Sequence, residues 1–214
     1  MKRADPHQNI FLLTGFEPFG GETTNPSWQV AEQFEGKSIE GSVVKSVCLP
    51  VAHPRAARAI VAAIRRWRPI AIIGLGQAGW RPALSLERIA INLVDQQSRD
   101  GVREYEGDTP VVRGGPDAYF SRLPLTNILR RLKREQIPAA MSLSAGAYIC
   151  NSVMYAALHE LRGRDLPAGF IHLPYAAGQA VHHPGAPSMS LDMMARAVAA
   201  AISVTASAIS NKSR

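Results

Sequence analysis

The sequence predicts an α/β protein: a three-layer αβα sandwich around a mostly parallel central sheet that carries at least one antiparallel strand. Three observations lead there. Short apolar runs at 9–14, 43–49, 70–75, 139–144 and 169–173 are bounded by Gly, Pro or Ser and are apolar on both faces, as buried parallel strands are. Helical periodicity fills the gaps between them, which is the alternation that builds a sheet covered on both sides. One strand-like segment, 85–93, follows the run at 70–75 after only Gly76-Gln77-Ala78-Gly79-Trp80-Arg81-Pro82, too short for a crossover helix. If those two pair, the second runs antiparallel.

The helices are justified one by one. Ala57, Ile60, Val61, Ile64 and Trp67 recur at three and four, as do Leu125, Ile128, Leu129 and Leu132, and then Val153, Met154, Ala157, Leu158 and Leu161. Pro26, Pro54 and Pro124 stand where a first helical residue belongs, with Asn25 as a cap before Pro26. A last long helix is predicted over 190–209, with Leu191, Met194, Val198 and Ile202 inward. The polar, Gly-rich stretch 96–116 reads as a long irregular excursion. With no repeat and no Ser/Gly linker, the chain is expected to be a single domain over 1–214, with flexible ends at 1–8 and 210–214.

Composition excludes several classes. The 214 residues are 46% hydrophobic and 19% charged, too apolar for a disordered chain. Uninterrupted apolar runs are far shorter than the roughly 18–20 residues of a membrane span, so no membrane association is expected. Met1-Lys2-Arg3 is followed by Asp5-Pro6-His7-Gln8-Asn9 where a signal peptide needs an apolar core, which points to the cytoplasm. The net charge of +7, from 24 basic and 17 acidic residues, permits attraction to an acidic partner. Its arginines, however, fall between apolar positions of the helices at 55–68 and 130–134, as solvated faces do, and no nucleic-acid motif accompanies them.

The chemistry is sought at the carboxyl ends of the parallel strands, where open α/β sheets form their sites. Cys150 follows the run 139–144 and the turn Ala145-Gly146-Ala147, at the start of a helix whose unsatisfied N–H groups favour a thiolate. That helix leads back to a strand ending near His172, which sets Cys150 and His172 on one sheet edge. Glu87, near the start of the antiparallel strand, falls on the same edge. Asp95, eight residues on, is roughly 26 Å further along an extended strand and belongs to the opposite edge.

The result reads as nucleophile, base and orienting carboxylate: Cys150 attacks a carbonyl, His172 shuttles the proton and Glu87 holds the ring. Backbone N–H groups of Cys150 and Asn151 are candidate oxyanion donors. Each residue also has a structural alternative. Cys150 would be a buried small hydrophobe, as Cys48 is expected to be inside its strand. His172 would be a satisfied core histidine, and Glu87 the ion-pair partner of Arg88 or Arg81. The remaining histidines show no zinc-site spacing, and no metal ligands are assigned. Gly20-Gly21 and Gly74-Leu75-Gly76-Gln77-Ala78-Gly79 fit neither a dinucleotide fingerprint nor a P-loop.

These residues resemble a known family. Thr14-Gly15-Phe16-Glu17-Pro18-Phe19-Gly20-Gly21-Glu22 with Asn25-Pro26-Ser27-Trp28, then Gly76-Gln77-Ala78-Gly79 and Glu87-Arg88-Ile89-Ala90-Ile91-Asn92, are similar to pyroglutamyl-peptidase I, as are Ser144-Ala145-Gly146 with Cys150-Asn151 and the run from Gly169 to Tyr175. The match runs in order from about Phe11 to Ser190. The resemblance implies a cofactor-independent cysteine exopeptidase of the cytosol, usually homotetrameric, that removes an N-terminal pyroglutamate from peptides. It places the family's Glu, Cys and His on Glu87, Cys150 and His172, the aromatics flanking the lactam ring on Phe16 and Phe19, and a pocket-lining residue on Gln77. A neutral lactam calls for that kind of slot, apolar with a few fixed hydrogen bonds. One departure stands out: Gln97 occupies the place of an Arg that the family carries near its active site, and Arg99 lies two places later. That departure motivates an alternative reading, a catalytically weakened member that binds pyroglutamyl or related lactam ligands.

Overall fold

In the computed structural model, residues 9–95 and 109–212 are described. In chain order they form β1 (Ile10–Phe16), α1 (Pro26–Ala31), a short 3-10 turn (Glu32–Phe34), β2 (Ser38–Ile39), β3 (Ser42–Leu49), α2 (Arg55–Trp67), β4 (Ala71–Gln77), β5 (Leu84–Glu87), β6 (Ile89–Ile91), β7 (Ala118–Phe120), α3 (Leu125–Arg134), β8 (Ala139–Ser142), α4 (Ile149–Glu160), β9 (Ala168–Leu173), β10 (Tyr175–Ala176), α5 (Ala177–Ala180), β11 (Ser188–Met189) and α6 (Leu191–Lys212). Seven strands make the main sheet in the order β2-β3-β1-β4-β9-β5-β8. The four strands β3, β1, β4 and β9 are mutually parallel, as predicted.

Alternation along the buried strands feeds two separate cores, one on each sheet face. Phe11, Leu13, Ile73, Leu75, Ile171 and Leu173 pack toward α1, α3 and α6, whereas Leu12, Phe16, Ile72 and Phe170 pack toward α2 and α4. These are the three layers. Helix α2 buries Ala56, Ile60, Ala63 and Ile64 at helical spacing and carries Arg65 and Arg66 in its last turn, where the negative helix end favours them. Pro26 is the first residue of α1 behind the Asn25 cap, but Pro54 and Pro124 fall one residue earlier than predicted, as the caps of α2 and α3.

Three expectations about the sheet are corrected. The antiparallel strand β5 pairs with β9 and β8, not with β4, because β9 is inserted between them. The strand predicted over 85–93 is two: the backbone leaves the main sheet at Arg88, whose N–H donates to Ser142 and whose carbonyl accepts from Ser121, and β6 joins β7 in a second sheet. Strand β8 runs parallel to β5 and therefore antiparallel to β9, so its carboxyl end points away from the edge it was expected to share.

Helix α6 continues through Lys212, so 210–212 are helical; 1–8, 213–214 and most of the predicted excursion, 96–108, lie outside the described residues. By length and composition α6 is apolar enough to cross a membrane, although Asp192 and Arg196 interrupt its apolar run. Met194, Ala197, Val198, Ala201 and Ile202 are nevertheless buried in the domain core.

Candidate active site

The carboxyl edge of the parallel strands delivers three side chains. Phe16 ends β1, Gln77 ends β4 and His172 lies one residue from the end of β9. Gly76 is the register partner of His172, and a Cβ on Gly76 would lie 2.8 Å from both Cys150 Sγ and the Phe170 ring. Only a glycine leaves room there. The thiol therefore sits over β4 on the face that presents Phe170 and His172, whose rings meet edge-on with centroids 5.0 Å apart.

Glu87 reaches His172 from the antiparallel side. Ser85 is the register partner of His172 and Glu87 that of Phe170, so Glu87 is diagonal to the imidazole on the same face. His172 Nδ1 and Glu87 Oε1 are 2.8 Å apart. An ionised carboxylate only accepts, so Nδ1 carries the proton of this bond and Nε2 is not engaged by Glu87. Glu87 is fully buried; Arg81 Nη1 donates to the same Oε1 at 2.8 Å, and Oε2 has no hydrogen-bond partner among the described residues. Burial works to raise the Glu87 carboxyl, but the hydrogen bond and charge of His172, with Ser142 and Arg81, outweigh it and hold the carboxyl below its ordinary range.

Cys150 is the second residue of α4. The first intrahelical bond of that helix runs from the N–H of Ser152 to the Tyr148 carbonyl, so the amides of Cys150 and Asn151 belong to the orphan donors of the first turn. The expected thiolate is corrected: burial, and then the Glu87 anion, push the Cys150 thiol up to about 12, and the pull of Arg81 and of the residue's own backbone N–H does not compensate. A helix end supplies only a partial charge, whereas desolvation acts on the whole thiolate.

Because β8 heads away from the edge, the loop 143–148 must bring Cys150 back. Gly146 takes φ 82° and its N–H donates to Ser144 Oγ at 3.0 Å. Asn151 then anchors the helix: its Oδ1 accepts from Ile91 N–H, and its Nδ2 donates to the Ile91 and Leu93 carbonyls, all at 2.9 Å. Asp95, placed on the opposite edge by the extended-strand argument, instead donates its N–H to the Ala147 carbonyl at 2.8 Å. The break at Arg88 turns that chain back toward the Cys150 loop. Cys48 is likewise corrected, being exposed on β3 rather than a buried hydrophobe.

The residues expected to form the pocket are placed as follows. Phe16 is 3% exposed and packs against Phe170, and Phe19 is half-buried on the turn that Gly20 and Gly21 close at positive φ. A knot of polar groups fixes the stretch between them. Ser27 Oγ accepts from the Phe16 N–H and donates to Asn25 Oδ1, and Asn25 Nδ2 donates to the Glu17 carbonyl. Gln77 Oε1 accepts from Gln179 Nε2 at 3.0 Å, and the same amide reaches the Thr24 carbonyl at 3.3 Å. Gln179 and Arg81 were missed as site residues. The first lies in a four-residue helix too short to show a periodicity, and the second has the sequence signature of an ordinary ion-pair partner. Gln97 and Arg99 lie outside the described residues.

Comparison with known proteins decides the family. A family profile described as pyroglutamyl peptidase, peptidase C15, matches residues 9–208. The chain belongs to that family. It is 45% identical over 194 residues to the pyrrolidone-carboxylate peptidase of Klebsiella pneumoniae, covering 90% of this chain and 91% of that one. To the protein of the same name from Yersinia pestis it is 43% identical over 195 residues, with the same coverage. Among solved structures, pyroglutamyl peptidase I from Bacillus amyloliquefaciens superposes with a TM-score of 0.87 at 36% identity, covering 93% of this chain and 95% of that one. A mutant pyrrolidone carboxyl peptidase from Pyrococcus furiosus gives 0.89 at 39% identity, covering 94% and 99%. This family member is a cysteine peptidase of α/β fold.

Proposed function

We propose that the chain hydrolyses the amide bond after an N-terminal pyroglutamate, with Cys150, His172 and Glu87 as its catalytic residues. The observation that carries this reading is the Glu87–His172 hydrogen bond on the face where Cys150 Sγ covers Gly76, the register partner of His172. With the resting thiol pushed up to about 12, Cys150 is neutral until substrate arrives, and the proton moves to His172 Nε2 as Sγ attacks the pyroglutamyl carbonyl carbon. The oxyanion is held by the amides of Cys150 and Asn151. Collapse of the tetrahedral species breaks the C–N bond, His172 returns its proton to the departing amine, and a thioester remains. His172 then takes a proton from water, which attacks the thioester and releases pyroglutamate and the free thiol.

Glu87 has the part of an ionised hydrogen-bond acceptor for the imidazolium throughout. Phe16 and Phe19 are proposed to flank the lactam ring, and Gln77 to present its amide to the ring's polar edge. An uncharged five-membered ring suits such a slot, whereas a protonated free N-terminus loses hydration there without compensation. A homotetrameric assembly and a cytoplasmic location belong to the same proposal.

The test is release of aminocoumarin from a pyroglutamyl-aminocoumarin amide under reducing conditions. Turnover by the wild type that is lost in Cys150→Ala, with melting unchanged, is the expected outcome. Turnover that survives the substitution removes the mechanism. Saturable binding of the substrate without any product favours the alternative that Gln97 motivates, a member that binds lactam ligands.

A further inference from the structure

The carboxylate that orients His172 is charged, fully buried and asymmetrically used. Its Oε1 accepts both from His172 Nδ1 and from Arg81 Nη1, each at 2.8 Å, while Oε2 has no hydrogen-bond partner among the described residues. A buried carboxylate persists only when it is paired and hydrogen-bonded; the hydrogen bond and charge of His172 come first among what holds Glu87 ionised, then Ser142, and Arg81 adds to them. Arg81 is the cation in contact. The groups around Glu87 are few: His172 from β9, Ser142 from β8, Cys150 from α4 and Arg81 from the loop before β5, while the neighbouring Arg88 side chain is exposed.

We infer that Arg81 is a positioning residue of the catalytic centre, which keeps Glu87 ionised through the resting state and offsets the repulsion that Glu87 exerts on the Cys150 thiolate.

The local backbone is built to turn Arg81 inward. A Cβ on Gly79 would collide with the Tyr175 ring, Trp80 takes φ 68°, and the Ala78 N–H is held by the Leu173 carbonyl at 2.8 Å. A non-glycine residue at positive φ is uncommon, and here it closes the turn that aims the next side chain at Glu87. The influence on the thiol has the sign this role requires, since the field of Glu87 raises Cys150 and that of Arg81 lowers it. An ordinary surface ion pair would contribute little and affect neither group. Here the acceptor is 0% exposed and the donor side chain 36%, so the pair carries a charge from solvent into the core of the site.

This inference rests on the peptidase reading, so its test has one arm that needs no turnover. In the first arm, kcat/KM for the pyroglutamyl-aminocoumarin amide is followed against pH for wild type, Arg81→Gln, Arg81→Lys and Glu87→Gln, and for the Arg81→Gln/Glu87→Gln pair. Losing an opposite charge at contact distance moves a carboxyl by about one unit or more. Arg81→Gln is expected to shift the acid limb upward by about that much, Arg81→Lys to restore it, and Arg81→Gln to add nothing to the limb once Glu87 is Gln. In the second arm, iodoacetamide labelling of Cys150 is measured above the acid limb in a Cys48→Ser background, because Cys48 is exposed. Labelling is expected to slow several-fold with Arg81→Gln and to recover with Arg81→Lys. An acid limb and labelling rate that stay at wild-type values in Arg81→Gln overturn the inference, as does an equal loss of activity with or without Glu87. If the wild type turns over no substrate but labelling still depends on Arg81, the inference stands and the peptidase reading fails. Should Arg81→Gln melt early, Arg81→Lys against Glu87→Gln carries the same comparison.

Discussion

The sheet has two halves that reach the site by different rules. In the parallel half, β1, β4 and β9 end together, and their last residues bring Phe16, Gln77 and His172 to one edge without further devices. In the antiparallel half, β5 and β8 run the other way, and Glu87 and Cys150 arrive there through local geometry. Glu87 is placed by a diagonal pairing across β5 and β9, and Cys150 by a returning loop whose helix is stapled by Asn151. In the proposed mechanism, regular pairing thus supplies the base, the pocket walls and, across the antiparallel ladder, the orienting acid, whereas an irregular loop supplies the nucleophile. The comparison predicts that damage to Glu87, Cys150 and the anchors of their segments appears in kcat and stability, and damage to the pocket walls of the parallel side, Phe16 and Gln77, in KM.

The largest effect short of removing the thiol is expected for Glu87→Gln. The amide can offer His172 Nδ1–H an acceptor but carries no charge to stabilise the imidazolium, so kcat should fall about a hundredfold or more with KM little changed. Steady-state kinetics decide it, and a KM-dominated loss would break the division between the halves. Asn151→Ala comes next. It removes three hydrogen bonds from a fully buried side chain and leaves two carbonyls and an N–H of the 91–93 segment unpaired. Urea unfolding should show a loss of about 2–4 kcal/mol, with kcat lowered in the fraction that folds.

How much of this was legible follows the same division. The parallel strands, the buried alternation and the helix faces could be read because each is a repeating pattern within one segment, and Gly76 and His172 are brought together by the regular parallel pairing of β4 with β9. The position of β9 between β4 and β5 could not be read, because strand order depends on which edges remain unpaired after the whole chain has collapsed. The end of the strand at Arg88 carries no sequence mark either. Arg88 lies in an apolar alternation that continues smoothly through Ile91, and only the competing bonds to Ser142 and Ser121 divide it. Extrapolating a straight strand therefore sent Asp95 to the wrong edge. The thiol was misjudged for a different reason: a helix start is visible in sequence, but desolvation at Cys150 depends on Phe170 and Gly76, which are distant in the chain.

On the parallel side, Gln179→Ala removes the amide that ties Gln77 to the Thr24 carbonyl, and so loosens the wall without touching the proton path. KM for the pyroglutamyl substrate should rise about tenfold, the equivalent of about 1.4 kcal/mol, at nearly constant kcat. Acid stability is a smaller effect that returns to the antiparallel half. The Glu87 carboxyl titrates lower in the fold than in the unfolded chain, so its contribution is complete above the unfolded carboxylate range and is lost as pH falls through the folded value. Thermal melting between about pH 5 and about pH 3 should accordingly fall more steeply in the wild type than in Glu87→Gln, and parallel curves would mean that the pairing of Glu87 with His172, Ser142 and Arg81 contributes nothing to the fold.

The two cysteines give the smallest expected effect and the sharpest contrast. Cys48 lies exposed in β3, separated from β4 by β1; Cys150 is pinned over Gly76 by a helix that three hydrogen bonds anchor. Cys48→Ser changes one surface atom and should leave stability within about 0.5 kcal/mol and kcat/KM unchanged. Neutral alkylation with one equivalent of reagent should label Cys48 first: burial, Glu17 and Glu32 push its thiol up to about 11, but it is exposed, whereas Cys150 is pushed up to about 12 and, in the proposed mechanism, is activated only as its proton moves to His172. Peptide mapping of the partially alkylated protein against residual turnover separates the cases. If activity survives while Cys48 is consumed, the reactivity of Cys150 belongs to the assembled site; if activity falls in step with the first label, the resting thiol is already ionised and the balance of burial, Glu87 and Arg81 must be drawn the other way.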